Sequence, residues 1–183
     1  MIKPDQYKEV MRRHATTVVL ISVRSAGRIH LMTATAFMPV SIDPPLALFC
    51  VHRQNSTHGF LHVGSHVGIN LLSHHQEMLS RRFASKGPER YDVSDLNLVQ
   101  GPAGAPLLSD ACASMEVKVI EQHSGGDHSI FIGQVAWAAV EKHSSPLVYY
   151  SGGYLSVCEG TNSQSVGSTA CLSGRAHSGA FVS

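Results

Sequence analysis

Residues 32–51, MTATAFMPVSIDPPLALFCV, decide the fold of this chain, because short polar stretches alternate in them with strand-like segments. Residues 33–36 are small and rich in hydroxyls, so a large planar ligand could lie close against their backbone. Residues 41–45, SIDPP, predict the turn that ends one strand, and residues 46–51 are an apolar run of strand length. This stretch therefore predicts two neighbouring strands with a binding slot beside them.

The composition is that of an ordinary globular protein. The 183 residues are 43% hydrophobic and 15% charged, which suits one folded domain with a substantial core. The formal net charge of +1 gives no basic footprint for nucleic acid or an anionic membrane. No apolar run is long enough to cross a bilayer, and residues 1–14 lack the apolar core of a signal peptide. We expect a cytoplasmic protein with no nucleic-acid and no membrane partner.

The cysteines indicate neither a disulfide framework nor a structural metal site. Cys50, Cys112, Cys158 and Cys171 form no C-x-x-C pair, and the first two lie among strand-like apolar residues. We therefore predict buried free thiols and no structural zinc site.

Outward from residues 32–51, the chain predicts many strands and few helices. Strands are predicted over residues 16–23, 28–33, 34–42, 46–51, 66–72, 113–121, 129–140 and 147–150. Helices are predicted over residues 4–15, 56–63 and 75–84. Residues 85–111 mix Gly, Pro, Ser and Asp, which predicts a long excursion over the surface. Because there is no β-α-β alternation, we predict a mainly β fold, a β-barrel rather than a doubly wound sheet.

The composition changes near the C-terminus. From residue 159 onward the chain is mostly Gly, Ser, Thr and Ala, with little apolar content. We therefore predict one domain over residues 1–158 and a polar, Gly/Ser-rich tail over residues 159–183.

Two polar segments could bind an anion. Asn55 or Ser56 can cap the helix predicted over residues 56–63, and its N-terminus would then be either an anion site or a plain helix cap. Arg81 and Arg82 lie near the end of the helix predicted over residues 75–84. They suit the helix dipole, and guanidinium groups also bind phosphate oxygens in a bidentate manner. Both alternatives stay open for each segment.

In order along the chain, the segments T-A-T-A, S-I-D-P-P, N-S-T, S-R-R-F-A and G-D-H resemble the motifs of the short-chain flavin reductases. The resemblance covers roughly residues 5–155 and rests on the order of several moderate motifs. It implies an FMN-binding split β-barrel, a Greek-key barrel with a few short peripheral helices, assembled as a homodimer with flavin near the interface. It also implies the reaction NAD(P)H + flavin → NAD(P)⁺ + reduced flavin. The reduced flavin would diffuse to a separate oxygenase component that hydroxylates an aromatic compound.

The resemblance further implies which residues bind the cofactors. The flavin-binding residues would be Thr33, Ala34, Thr35, Ala36, Asn55, Ser56, Thr57, Ser80, Arg81, Phe83 and His128. His128 would be the catalytic residue, because it would orient the nicotinamide or stabilise the N1 edge of the reduced flavin. Asp127 would fix the imidazole tautomer or the turn, and Arg82 replaces a more variable position.

The cofactors follow from the same resemblance. No G-x-G-x-x-G motif follows a strand and opens a helix, so a nicotinamide cofactor would bind without a Rossmann domain. We expect FAD rather than FMN, both from the likeness to reductases of aromatic hydroxylases and from two adjacent arginines that could serve a pyrophosphate. We expect NADH rather than NADPH as the electron donor.

Two other functions stay open. One is a reductase of the same fold that holds FMN tightly and passes electrons to another acceptor. The other is a flavin- or metal-binding protein without turnover, in which the histidine-rich region is the working part. His58 and His62 could share a helix face as metal ligands, but Gly59 and Gly64 weaken that helix and no Glu or Cys completes a ligand set. We therefore predict no functional metal.

Overall fold

The computed structural model describes residues 2–157, and all structural statements below concern that part of the chain. In chain order the α-helices and strands are α1 (Pro4–Met11), β1 (Thr16–Thr17), β2 (Val19–Ser25), β3 (Arg28–Ala34), β4 (Phe37–Ile42), β5 (Pro45–His52), β6 (His66–Leu71), α2 (Glu77–Ala84), β7 (Leu98–Gln100), β8 (Pro106–Leu108), β9 (Ala113–Gly125), β10 (His128–Val140), β11 (Leu147–Tyr150) and β12 (Gly153–Ser156). Short 3₁₀ helices occur at His58–Phe60, His74–Gln76 and Pro88–Tyr91. The predicted tail, Cys158 and Cys171 lie outside the described residues.

The main sheet explains why the fold is a barrel with an open seam. Its seven antiparallel strands follow the order β3-β2-β6-β9-β10-β5-β4. Met32 on β3 and Phe49 on β5 belong to one buried cluster although their strands lie toward opposite ends of that order. The sheet must therefore curl until its ends share one interior, while β3 and β4 remain unpaired edges. The prediction of a mainly β, split-barrel fold is confirmed.

The barrel interior follows from side-chain alternation along the strands. On β9, Val117 and Val119 point into the cluster, whereas Glu116 belongs to the other face. Phe49 and Phe131 stack at the centre with ring centroids 5.2 Å apart. Apolar residues from β2, β3, β5, β6, β9 and β10 all contribute to this interior, so its formation requires most of the sheet at once.

A second core lies on the outer face of the sheet. Leu20 and Leu31 point outward from β2 and β3 and meet Phe83 of α2, together with Leu108 and Leu147. This core fixes α2 against β3. None of the helices in the described residues is long and apolar enough to span a membrane.

The structure departs from the predicted elements at several places. The helix predicted over residues 4–15 ends at Met11, and β12 (Gly153–Ser156) was not predicted. The helix predicted over residues 56–63 is only the 3₁₀ helix His58–Phe60, because Gly59 and Gly64 weaken a longer one and Gly64 has a positive φ of 94°. The predicted surface excursion over residues 85–111 is wrong in its second half, where β7 and β8 pair and all three residues of β8 are buried. Pro106, Leu107 and Leu108 are apolar, and Leu108 is buried in the second core.

A buried amide attaches β8 to the main sheet. The Asn70 side chain on β6 donates to the carbonyl oxygen of Leu20 (3.0 Å) and to Ser22 Oγ (3.2 Å). Its oxygen accepts from the Leu108 backbone N–H (2.7 Å) and from Ser114 Oγ (2.9 Å). Both donors and both acceptor positions of the amide are therefore used, which a fully buried amide requires.

Close backbone approach beside this amide requires a glycine. The Ser22 hydroxyl also donates to the carbonyl oxygen of Pro106. A Cβ added to Gly68 would fall well inside contact distance of both the Pro106 oxygen and Ser22 Oγ. No larger residue fits there unless β8 moves away from the sheet.

A buried carboxylate holds the loop that precedes β8. Glu116 on β9 is fully buried and accepts the backbone N–H groups of Ala103 and Ala105, each at 2.9 Å. His66 Nδ1 lies 3.6 Å from the same carboxylate. Residues 101–108 are thus attached to the sheet at both ends.

We predict that Gly68→Ala lowers the free energy of unfolding by about 1–3 kcal/mol, the usual cost of overpacking, because the new methyl group pushes β8 off the sheet. The matched control is Gly59→Ala, where an added Cβ meets nothing within 4 Å. Urea unfolding monitored by Trp137 fluorescence measures both. Equal stability of the two variants would show that β8 is not held by close approach.

Candidate functional site

Three neighbouring strands end or begin at one end of the main sheet. β10 begins at His128, which lies directly opposite His52 near the end of β5. β4 begins just after Ala36, whose carbonyl oxygen accepts the Cys50 backbone N–H at 2.9 Å. Because β10, β5 and β4 are adjacent in the sheet, groups distant in sequence meet at this end.

His128 is held by the acidic residue before it. Its Nδ1 lies 2.6 Å from Asp127 Oδ1, and its side chain is about one-quarter exposed, at 26%. The hydrogen bond from His128 lowers the pKa of Asp127, so the carboxylate stays charged. An ionised carboxylate can only accept, so Nδ1 carries a proton and Nε2 is left without a protein partner among residues 2–157.

The predicted T-A-T-A slot divides into two halves. Thr35 and Ala36 form the link between β3 and β4, half-buried and exposed respectively, and their backbone N–H groups find no acceptor within residues 2–157. Thr33 and Ala34 are buried instead, and the Thr33 hydroxyl donates to the carbonyl oxygen of Ser80 at 2.8 Å. Only the second half of the slot presents donors to a ligand.

The segment after β5 is a turn rather than a helix start. Asn55 Oδ1 accepts the Thr57 backbone N–H at 2.9 Å, and Thr57 Oγ1 contacts the carbonyl oxygen of Leu31 at 3.4 Å. A 3₁₀ helix of only three residues follows, so no longer helix begins there whose N-terminus could bind an anion. Asn55 and Thr57 use their side chains within the protein, while Ser56 is exposed and its N–H has no acceptor within residues 2–157.

Helix α2 carries Arg81, the positively charged residue among those predicted to bind flavin. Arg81 is paired with Glu77 (Nη2 to Oε1, 2.7 Å), and its guanidinium lies 4.8 Å from the centre of the Tyr154 ring. The Tyr154 hydroxyl lies 2.9 Å from Ser80 Oγ, and burial raises the pKa of this tyrosine, which keeps it neutral. The Ser80 hydroxyl is therefore already engaged, whereas Arg81 remains partly exposed.

Two further residues of the S-R-R-F-A motif have structural roles. Phe83 is 1% exposed and packs in the second core, and its contact with flavin stays a prediction. Arg82 binds both oxygens of Asp95 (2.9 and 3.0 Å) and so fastens the segment after α2. Arg82 is therefore held on both guanidinium nitrogens and is less exposed than Arg81, at 21% against 41% of the side chain.

A groove of about 640 Å³ runs along the exposed side of α2 beside Arg81. Its walls carry the carboxylates of Glu89, Asp95 and Asp110 as well as the two arginines. These acidic side chains partly offset the two arginine charges along the groove.

The histidines and cysteines do not form a metal centre in the described part of the chain. Within residues 2–157, no three His, Cys, Asp or Glu side chains converge in a way that could hold a metal ion. His58 Nε2 instead lies 2.9 Å from Ser129 Oγ, and His62 is exposed. Cys50 and Cys112 are free, half-buried thiols whose pKa values are raised by burial, so neither is an activated nucleophile.

Three contacts near the site were not predicted from the sequence. His52 lies opposite His128, Glu77 pairs with Arg81, and Tyr154 covers Ser80. The helical spacing of four residues between Glu77 and Arg81 could have identified that pair. The other two contacts depend on strand register and on the docking of β12, which no local pattern encodes.

The chain is similar to known flavin reductases over most of its length. A family model described as the flavin reductase like domain matches residues 11–157. HsaB, the reductase subunit of a flavin-dependent monooxygenase from Rhodococcus jostii (strain RHA1), is 25% identical over 156 residues, which cover 85% of this chain and 79% of that protein. An NADH:FMN oxidoreductase of Rhodococcus qingshengii is 32% identical over 152 residues, which cover 81% of this chain and 79% of that protein.

A solved structure gives the same result. It is the NADH:FAD oxidoreductase SgcE6 from Streptomyces globisporus C-1027, in complex with NAD and FAD fragments. It matches with a TM-score of 0.80 and 28% sequence identity, covering 88% of this chain and 99% of that one. The chain therefore belongs to the flavin reductase-like domain family.

Proposed function

We propose that this protein is an NAD(P)H:flavin oxidoreductase that supplies diffusible reduced flavin to a separate monooxygenase acting on an aromatic compound. One observation carries the proposal. The imidazole of His128 and the unpaired backbone N–H groups of Thr35 and Ala36 lie at the same end of three adjacent strands. Family membership supports the same conclusion.

The donors of this site fit the polar edge of a flavin. The ring carries the acceptor atoms N5, O4 and O2, and backbone N–H groups such as those of Thr35 and Ala36 suit them. The small side chain of Ala36 leaves the backbone open to a flat ring. A bound flavin supplies a hydride acceptor, and the protein contributes orientation and charge stabilisation.

His128 would provide that orientation. Asp127 holds Nδ1 and leaves Nε2 free, so the imidazole has one fixed edge and one edge available to the nicotinamide or to the N1 edge of the flavin. Hydride transfer itself needs no protein acid or base, so close and ordered stacking of the two rings is the main requirement.

Arg81 is the residue we propose for the flavin phosphate. FAD is our first candidate, from the likeness to reductases of aromatic hydroxylases, and FMN is the alternative. Both arginines are paired, Arg82 with Asp95 and Arg81 with Glu77, but the Arg81 side chain is 41% exposed against 21% for Arg82, so we assign the phosphate contact to Arg81. NADH is our first candidate for the donor, and the cytoplasm, where NADH is abundant, is the proposed location.

We propose a homodimer. Met38, Val40 and Ile42 on β4 all have exposed apolar side chains. The register shift after Pro39 puts Ile42, which is 94% exposed, on the opposite face of the strand from Met38. Trp137 and Val140 add further exposed apolar surface on β10. A second copy of this chain is the occupant that we propose for this surface, because β4 follows directly from the Thr35–Ala36 link and the resemblance puts the flavin near the interface.

We expect the purified protein to oxidise NADH only when FAD, FMN or riboflavin is added. The reaction is monitored by the loss of NADH absorbance. The order of the three flavins identifies the preferred substrate. A yellow protein that needs no added flavin would indicate the tight-binding alternative. No oxidation with any flavin, using NADH or NADPH, would overturn the proposed function.

Within that assay, His128→Ala should lower kcat by about 10²-fold, a typical loss for one orienting or charge-stabilising group, with little change in flavin affinity. His123→Ala is the matched control, because His123 is exposed on the adjacent strand and its side chain bonds only to Glu121 within residues 2–157. Lost flavin binding with normal turnover at saturating flavin would contradict the role assigned to His128.

Arg81→Ala should raise the apparent KM for FMN or FAD about tenfold, equivalent to about 1.4 kcal/mol, because a charge-assisted contact to phosphate is removed. Riboflavin lacks a phosphate and is the matched control substrate, so its KM should not change. An equal rise for riboflavin would assign Arg81 to the protein scaffold.

Sedimentation equilibrium should give a mass of about twice the 19.7 kDa of one chain, and Ile42→Glu should shift it to one chain because a charge is then buried in the interface. Val99→Glu, at another exposed apolar position, is the control and should remain dimeric. A wild-type protein with the mass of one chain would exclude the proposed dimer.

A further inference from the structure

His52, which lies across the strand pair from His128, shares the carboxylate of Asp127 with it. The two imidazoles meet edge to face, with ring centroids 5.0 Å apart and an interplanar angle of 83°. Asp127 Oδ1 binds His128 Nδ1 at 2.6 Å, and Oδ2 lies 3.7 Å from His52 Nε2. One carboxylate therefore faces two imidazole rings, one on each of two paired strands.

The backbone decides which nitrogen of His52 carries the proton. The Gln54 backbone N–H donates to His52 Nδ1 at 3.1 Å, so Nδ1 must present its lone pair. A neutral His52 then carries its proton on Nε2, the nitrogen that faces Asp127. The N–H dipole points toward a negative carboxylate without His52 having to become charged.

Backbone hydrogen bonds fix the position of His52 as well. The Arg53 N–H donates to the carbonyl oxygen of Asp127 at 3.0 Å, and the Asn55 N–H donates to that of His52 at 2.9 Å. Asp127, by contrast, has a side chain that is 75% exposed. An exposed carboxylate loses rotamer freedom when it is held in one orientation, so an attractive group on its second oxygen favours that orientation.

The electrostatics agree with this geometry. The hydrogen bond from His128 is the largest cause of the lowered pKa of Asp127, and electrostatic interactions with His128 and His52 lower it further. Within residues 2–157, His52 and His128 are the partners of this side chain in hydrogen bonds and ion pairs.

We propose that His52 is a positioning residue: by attracting the second oxygen of Asp127, it holds that carboxylate on His128 and so fixes the Nδ1–H tautomer and the ring orientation of His128. The effect on turnover rests on the function proposed above, whereas the effect on the tautomer does not. His52 is not a catalytic residue in this proposal, since it acts through Asp127.

Two substitutions test the two nitrogens of His52 separately: Nδ1, which accepts the Gln54 N–H, and Nε2, which faces Asp127. In His52→Asn, the amide oxygen can still accept the Gln54 N–H, but no donor reaches Asp127. In His52→Gln, the longer side chain can bring an N–H donor to the position of Nε2. We therefore expect His52→Asn to lose the positioning of Asp127 on His128 and His52→Gln to keep most of it.

The first measurement is the imidazole ¹⁵N spectrum at about pH 8.5, above the ordinary titration range of histidine, with the His128 signals assigned by their loss in His128→Ala. The wild-type protein and His52→Gln should show the Nδ1–H tautomer of His128. His52→Asn should show a mixture that includes the Nε2–H tautomer. An unchanged tautomer in a folded His52→Asn would overturn the proposal, as would the same mixture in both variants.

The second measurement is flavin-dependent NADH oxidation. We expect His52→Asn to lower kcat about threefold to tenfold with the KM for flavin unchanged, and His52→Gln to restore most of the rate. If the tautomer of His128 changes in His52→Asn but kcat does not, His52 is a positioning residue and His128 has no role in catalysis. If the wild-type protein shows no reductase activity, the proposed function fails, and the ¹⁵N spectrum still decides the role of His52.

Discussion

The four hydrogen bonds of the buried Asn70 amide hold the outer layer of this protein on its sheet. β8 pairs only with β7, in a separate two-stranded sheet, so no strand ladder attaches it to the main sheet. The amide, the Ser22 hydroxyl and the close approach at Gly68 provide that attachment instead. With β8 in place, Leu108 completes the second core beneath α2, and the Thr33 hydroxyl bonds to α2 at Ser80. The position of Arg81 therefore depends on polar contacts made on the opposite side of the helix.

The candidate site is built from strand ends rather than from a pre-formed cavity. Antiparallel pairing brings the start of β10, the end of β5 and the start of β4 to one end of the sheet. His128 and His52 meet there because they are register partners, and the Thr35–Ala36 link is adjacent because it precedes an edge strand. Turns and links leave backbone N–H groups unpaired, whereas strand interiors do not, so the available donors are at this end.

Much of the fold could be predicted because its signals are local. The alternation of Met115, Val117 and Val119 against Glu116 and Lys118 correctly predicted a strand with one buried face. The carboxylate of Glu116 is nevertheless buried on the other face, because two backbone N–H groups from a distant loop meet it. The longer helix predicted over residues 56–63 was wrong because Gly59 and Gly64 outweighed the capping signal of Asn55 and Ser56.

The site was harder to predict than the fold, because a motif names residues without saying which way their side chains point. Thr35 and Phe83 both belong to recognised motifs, but only Thr35 is accessible. Phe83 faces the core because residues three or four apart lie on the same face of a helix, and that face of the two-turn helix α2 packs against β3. His52 carries no motif at all, and its relation to His128 arises solely from the register of β5 with β10.

The edge strand β4 exposes apolar side chains, but its backbone is poorly suited to pairing with a further strand. A free edge normally presents a row of backbone donors onto which another strand can add, and apolar side chains such as Met38 and Val40 would reinforce such growth. Pro39 has no N–H, and the ladder with β5 shifts register between Pro39 and Ser41, so the row is interrupted and bent. Strand-by-strand polymerisation through this edge is therefore discouraged, although the apolar side chains of β4 are exposed.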